Sequence, residues 1–355
     1  MPHMPTPPNN PAAKRIAVWL EPSQAEFVGE TVEAAGLTLV GAGSPSKGQS
    51  GAAANRLKCE AFDDLRSALN EMPVDLIWLA STGDFGTKSD SLDARAVMVA
   101  AGRGVRVATT EPVPASALLL GPGGWAGETN DGLAGPTLRF VGTLRGSRWF
   151  REASEVLESF GQPRLVQVET WSAPEHGSLA ARLLGAMDLL FGLLSEPESI
   201  DATIVAPGWH TGHRPNAPET LADLHGDLSA TMRFSDGRAG VVSASNAAGR
   251  WNTTVTLVSH EGRLRLYDDG FEWIGPDGAK RDELRMTGRT RGGAKKSHAV
   301  TAAADSLGRL VDVQSPDVGP LPLEPVLAMS QAALLSARTG HPESPATIRR
   351  MMLTP

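Results

Sequence analysis

Short apolar runs alternating with helical periods fill the first hundred or so residues, and this alternation restricts the fold more than any other feature of the chain. Residues 15–20 (RIAVWL), 37–40 (LTLV), 74–80 (VDLIWLA) and 104–109 (GVRVAT) read as buried strands. Between the first two, Ser23 followed by Glu26 has the pattern of a capping box opening a helix. Ala25, Val28, Val32 and Ala35 keep helical spacing, and Gly36 is a natural stop. Residues 41–51 form a Gly/Ser/Pro-rich loop. Residues 61–72 read as a helix begun by Asp63 and Asp64, whose carboxylates suit the helix dipole, and 92–102 as another helix. Strands separated by helices imply a parallel sheet covered on both faces.

From Gly121 the texture changes. Residues 121–135 are glycine-rich and lack periodicity, which suits a domain boundary. Residues 147–160 are expected to be helical, and 164–171 (RLVQVETW) alternate like a half-buried strand. In 178–194, Leu179, Leu183, Met187, Leu190 and Leu194 make one helical stripe. Strand patterns follow at 200–205, 227–234, 240–244, 253–259, 263–267 and 271–274, with turn signals such as Ser235-Asp236-Gly237 and Asp268-Asp269-Gly270. They predict a meander of antiparallel strands. Residues 281–297 are basic and polar and read as a solvated loop. Residues 325–339 are a final helix stopped by Gly340.

A chain of 355 residues is too long for one ordinary core, so two domains are expected. The divisions are an arm at 1–12, a Rossmann-like domain at 13–122, an α+β domain at 123–322, and C-terminal helices at 323–355 packing back on the N-terminal domain. The fold class is therefore α/β: a doubly wound parallel sheet, then an α+β half with a large open antiparallel sheet. The proline-rich start has no apolar core and is not read as a signal peptide. The net charge of -7 argues against nucleic acid or an anionic membrane as partner. A single cysteine, Cys59, excludes an internal disulfide. No apolar run is long enough to span a bilayer. A cytoplasmic location is expected.

Six segments in order resemble the glucose–fructose oxidoreductase / inositol dehydrogenase / MocA (Gfo/Idh/MocA) family. They are the opening strand–helix–strand, "DLIWLAST", "ATTEPVPAS", "AARLLGAMDLLFGLL", "LSATMRFSDGRAGVVSAS" with "TLVSHEGRLRLYDDG", and "MSQAALLSARTGHP". The resemblance implies an NAD- or NADP-dependent oxidoreductase of sugars, cyclitols and related compounds. It implies a homodimer or homotetramer formed through the open sheet face. It also places Ser81, Thr82, Glu111 and Pro112 beside the cofactor.

The chain departs from the family pattern at each chemical position. The phosphate-loop glycines correspond to Leu20, Pro22 and Ala25, and Pro22 has no N–H to offer a pyrophosphate. The helix start at Ser23 still favours an anion. No carboxylate stands near Gly41 or Ala42 to hold a ribose. Ser44 and Lys47 follow, so a bound dinucleotide would be NADP rather than NAD. The family's Glu-Lys-Pro motif corresponds to Thr110-Glu111-Pro112: Glu111 stands at the lysine or, shifted by one residue, at the motif's own glutamate, and either alignment lacks the cation. On the long helix, the family's Asp, His and Asp positions are Ala181, Gly185 and Asp188.

The candidate catalytic groups are accordingly Glu111, Asp188, His176 and His210. Arg145, Arg148, Arg182, Trp209 and His213 are candidates for the substrate. His210 and His213 lack a third ligand, so no metal site is expected. Losing a positioned acid/base costs about 10²–10⁴-fold in rate. The reading is thus a divergent family member that binds a sugar- or cyclitol-like ligand without the usual Lys/Asp/His hydride transfer. The alternative is an active NAD(P)-dependent oxidoreductase with its acid/base moved to His210 or His176. A non-redox lyase or isomerase using Glu111 as base is a third.

Overall fold

The structure is a computed structural model that describes residues 14–88, 92–121, 125, 138–205, 218–285, 297–312 and 321–352. The N-terminal half is a six-stranded parallel sheet in the order β3-β2-β1-β4-β5-β6. Its strands are β1 (Arg15–Trp19), β2 (Thr38–Gly43), β3 (Glu60–Ala61), β4 (Leu76–Leu79), β5 (Arg106–Thr109) and β6 (Leu138–Phe140). Both faces are covered, which explains the unbroken apolar runs. Ile16, Val18, Leu76 and Trp78 face α1 (Ala25–Ala34) and α8 (His298–Val311). Ala17, Trp19, Ile77 and Leu79 face α3 (Leu65–Glu71) and α4 (Leu92–Gly102). Strand order reverses between β1 and β4, so their C-terminal ends bound the crevice where this architecture places ligands.

The C-terminal half is an eight-stranded sheet in the order β14-β13-β12-β11-β7-β10-β9-β8. Its strands are β7 (Leu165–Trp171), β8 (Ser199–Val205), β9 (Asp227–Arg233), β10 (Ala239–Ser245), β11 (Asn252–Ser259), β12 (Gly262–Tyr267), β13 (Gly270–Ile274) and β14 (Lys280–Arg285). The expected meander is interrupted at one place: β7 pairs parallel with β10, while its other neighbour β11 is antiparallel. The long helix α7 (Leu179–Leu194) packs on the inner face of β7 and β10. All five residues of its predicted leucine–methionine stripe are fully buried. The final helices α9 (Leu323–Thr339) and α10 (Pro345–Met352) pack against each other, and α9 also lies on α7 and β8.

Several local expectations need correction. The capping pair at the start of α1 is Glu21 with Gln24, not Ser23 with Glu26, because a turn of 3-10 helix (Pro22–Gln24) precedes the α-helix. Residues 50–57 form helix α2 (Ser50–Leu57) where a loop was expected at the start. The helix predicted over 147–160 is two, α5 (Arg148–Glu152) and α6 (Ser154–Phe160), broken at Ala153. Residues 280–285, expected to begin a loop, add the edge strand β14.

Asp93 fixes the loop that follows β4. Its carboxylate is 1% exposed and accepts the Gly86 N–H at 2.8 Å and the Arg66 Nε–H at 2.6 Å. Asp93→Ala strands the Gly86 amide without a partner and is expected to cost about 2–3 kcal/mol. Urea unfolding measures this, and a loss below about 0.5 kcal/mol would contradict it.

Candidate functional site

The C-terminal ends of β4 and β5 and the N-terminus of α7 enclose a cavity of about 410 Å³. Ser81, Thr82, Thr87, Ser178 and Thr220 bring hydroxyls to its walls, and Asp84, Glu111 and Asp223 bring carboxylates. Among the described residues, no Lys, Arg or His lines it. Asp84 and Asp223 are exposed, whereas Glu111 is buried.

Glu111 is held by the helix it faces. The Ser178 N–H donates to its Oε1 at 2.8 Å, and the Ser178 hydroxyl donates to Oε2. Ser178 is also the N-cap of α7, its Oγ accepting from the Ala181 N–H at 3.1 Å. A carboxylate at a helix N-terminus is favoured by the unpaired N–H groups and the dipole. Gly177 makes the approach possible. Its φ is +121°, and a Cβ there would lie 3.1 Å from Thr110 Cγ2. Burial pushes the Glu111 carboxyl above its ordinary pKa, opposed by the two Ser178 bonds and by Arg182.

Arg182 lies one turn along α7, buried, with its guanidinium 4.4 Å from the centre of the Trp251 ring. Burial lowers its pKa to about 10, against the pull of Glu111 and Asp268. Asp268 in turn accepts the Trp251 Nε1–H at 3.2 Å and the Thr253 N–H at 2.7 Å. His176, half-buried like Trp251 and Asp268, completes this cluster around the buried Arg182. Its ring meets Phe27 and Trp251 edge-on at 5.0 and 6.0 Å. Burial, with Arg182 adding to it and Glu175 opposing, keeps the imidazole pKa below its ordinary value. His176 and Arg182 are therefore placed behind the cavity wall, not in it.

The small face of α7 is filled by the chain before α5. Leu144, itself buried, lies over Gly185, where a Cβ would come within 3.8 Å of its Cγ. Arg145 crosses Gly192, where a Cβ would approach its guanidinium to 2.7 Å. The same arginine reaches Asp188, Nε to Oδ2 3.7 Å. Asp188 is buried, and desolvation lifts its pKa from the ordinary 3.8 to about 6 despite Arg145. Arg148 is exposed and pairs with Glu152 at 2.5 Å. Trp209, His210 and His213 lie outside the described residues. Among the described residues, no group of three His, Cys, Asp or Glu side chains is placed to hold a metal.

The crevice at the ends of β1 and β2 is a second, separate place. Leu20 is fully buried, Pro22 half-buried, and Ser23 and Lys47 exposed. The Glu21 N–H donates to Gln24 Oε1 at 3.0 Å, and the Gln24 side-chain amide donates to the Ala80 carbonyl at 3.2 Å. The Glu21 carboxylate accepts the Ser46 hydroxyl at 2.8 Å. Ser44 is buried, its Oγ accepting the Ser46 N–H at 3.2 Å. β2 ends at Gly43 beneath the Trp19 indole, where a Cβ would come within 2.4 Å of the ring. These residues fit a dinucleotide phosphate poorly: Pro22 has no N–H, the Glu21 and Gln24 donors are engaged internally, and the Glu21 carboxylate stands among them.

Ser81, Thr82, Glu111 and Pro112, which the resemblance set beside a cofactor, share one cavity in the structure. Sequence reasoning missed Ser178, Asp84, Thr220 and Asp223 on the cavity and Glu21, Gln24 and Trp19 in the crevice. Ser178 was readable as the N-cap of a strong helix, and Glu21 as the residue inside the altered phosphate loop. Trp251 and Asp268 carry no local signal, since only the tertiary fold brings them to Arg182.

No protein-family model matches the sequence, and no curated protein matches it. Solved structures do. An oxidoreductase from Agrobacterium radiobacter, in complex with NAD+, L-tartaric acid and magnesium, aligns over 95% of this chain and 100% of its own at 14% identity, TM-score 0.65. The UDP-N-acetylglucosamine 3-dehydrogenase GnnA from Acidithiobacillus ferrooxidans aligns over 92% and 98% at 16% identity, TM-score 0.61. The apo scyllo-inositol dehydrogenase from Lactobacillus casei aligns over 94% and 98% at 12% identity, TM-score 0.63. The fold is thus the Gfo/Idh/MocA-type oxidoreductase fold, as the sequence resemblance implied.

The raised pKa of Asp188 has a consequence for stability. Between about pH 3.8 and pH 6 the folded chain keeps a proton that the unfolded chain releases. Stability therefore falls as pH rises through this window, by up to about 3 kcal/mol. Asp188→Asn is expected to flatten that fall in urea unfolding between pH 4 and pH 7. Parallel curves for variant and parent would contradict it.

Proposed function

We propose that this chain binds a neutral sugar- or cyclitol-like molecule in the 410 Å³ cavity and does not run the lysine- and histidine-assisted hydride transfer that its family resemblance implies. The observation that carries this reading is Glu111. At the position of the expected lysine it presents a carboxylate with both oxygens bonded to Ser178, so no cation stands there to polarise a hydroxyl. Support comes from Gly185, the position of the expected histidine, which is covered by Leu144.

The lining suits a polyol. Ligand hydroxyls can donate to Asp84, Glu111 and Asp223 and exchange hydrogen bonds with the serine and threonine hydroxyls. The Asp84 and Asp223 carboxylates, with no Lys, Arg or His beside them among the described lining residues, repel phosphate esters and sugar acids. The named relatives act on inositol or a nucleotide sugar, or were solved with a hydroxy acid, which supports a polyhydroxylated ligand in this fold.

A relocated acid/base at His176 gains no support, since that ring is wedged between Phe27 and Trp251. Homodimer or homotetramer formation through the outer face of the C-terminal sheet belongs to the same reading. That face carries Leu165, Trp171, Val241 and Val258, all half-buried, on its central strands. No helix among the described residues is long and apolar enough to cross a membrane.

Calorimetric titration with inositols, neutral hexoses, a uronate and a hexose phosphate tests the proposal. A neutral polyol is expected to bind at least 10-fold more tightly than the charged sugars. Ala222→Trp, which puts an indole into the cavity mouth, is expected to abolish that binding. Preference for the charged sugars, or reduction of NAD+ or NADP+ by any polyol at 340 nm, would overturn it.

A further inference from the structure

We infer that the crevice at the C-terminal end of β1, flanked by the ends of β2 and β4 and the dinucleotide place in this architecture, is a closed joint of the protein's own side chains, and that the chain takes its ligand without NAD or NADP. The inference rests on residues 19–56, Phe62 and Ala80, apart from the cavity at Glu111.

A dinucleotide in such a sheet runs from the end of β2, where its ribose sits, across the turn after β1, where its pyrophosphate meets free N–H groups. The Glu21–Ser46 bond crosses that path, tying the β1 turn to the loop after β2 at 2.8 Å. The turn's backbone donors at Glu21, Pro22 and Gln24 are missing or engaged, which leaves a pyrophosphate the exposed Ser23 N–H alone. Pro22 has no N–H. The Glu21 N–H is taken by Gln24 Oε1, and the Gln24 N–H donates to the Glu21 carbonyl at 2.9 Å. From outside, Arg56 Nη1–H donates to the Pro22 carbonyl at 2.7 Å, holding the turn from α2.

Gln24 also spans the floor of the crevice. Its side chain is 5% exposed and joins the turn to the end of β4 through the Ala80 carbonyl. At the ribose end, Gly43 lies under Trp19, whose ring stacks on Phe62 at 5.5 Å, and the loop beyond it is stitched by Ser44, Ser46 and Ser50. Electrostatics point the same way. A carboxylate a few ångströms from a dianionic pyrophosphate is repulsive, and the one lysine of this loop, Lys47, is exposed and makes no bond in the joint. To admit a dinucleotide, the Glu21–Ser46 bridge must break and the Glu21 carboxylate must leave.

The wild-type protein tests this directly. NADH and NADPH are titrated in by energy transfer from tryptophan to the nicotinamide, NAD+ and NADP+ by calorimetry, and amide hydrogen exchange at Glu21 and Gln24 is followed with and without about 1 mM of each. The expected result is no saturable binding with a Kd below about 1 mM, and unchanged exchange. A Kd below that value, or dinucleotide-dependent protection of either amide, would overturn the inference. Binding without polyol oxidation would sink this inference and leave the proposed function standing, whereas binding with oxidation would sink both.

Discussion

A carboxylate seated on the N-terminus of a buried helix governs the geometry of the whole site. Glu111 comes from the end of the parallel sheet, and Ser178 caps the helix that backs the antiparallel sheet. Their bonds join the two halves at the cavity wall. Behind them, Arg182, Trp251 and Asp268 continue an alternation of charge and ring into the second sheet, and His176 is pressed between that ring and Phe27 of α1. Burial drives Glu111 and Arg182 each toward its neutral form, and their mutual attraction opposes it. Neither group is sustainable there alone, because an unpaired buried charge is strongly unfavourable.

This constraint links substitutions that look unrelated along the chain. A glutamate in place of the expected lysine needs donors and an opposite charge nearby; Ser178 supplies the donors and Arg182 the charge. The carboxylate reaches Ser178 because Gly177 leaves no Cβ against Thr110. Farther along α7, the space freed at Gly185 and Gly192 is taken by Leu144 and Arg145, and Arg145 in turn partners Asp188. The helix face that carries proton-handling groups in the resembled family is here a packing surface. The crevice at β1 follows the same logic: Pro22 removes a donor, and Glu21, Gln24 and Ser46 bond to one another.

Much of the fold was legible because it follows local periodicity. The apolar runs of β1, β4 and β5, the stripe of α7 and the Gly340 stop of α9 each announce themselves within a few residues. Helix α8 was equally readable, with Ser297 as cap and Ala299, Val300, Ala303 and Leu307 in register, but the basic stretch before it masked the signal. The parallel pairing of β7 with β10 was not legible, since it depends on which strands meet across a long connection. Of the candidate site, the residues at strand ends were readable from the resemblance. The partners that decide their chemistry were not: Leu144 over Gly185, Trp251 over Arg182 and Ser46 on Glu21 are contacts between segments distant in sequence.

The central claim is that Glu111 is a desolvated, helix-bound carboxylate on the wall of the cavity proposed to hold the ligand. Carbon-13 NMR of glutamate-labelled protein, with Glu111→Gln to assign the signal, reads its carboxyl carbon directly. The account predicts a titration above the ordinary 4.5 and a change in that signal when a bound polyol fills the cavity. A Glu111 resonance that titrates at the ordinary value and ignores the ligand would contradict it.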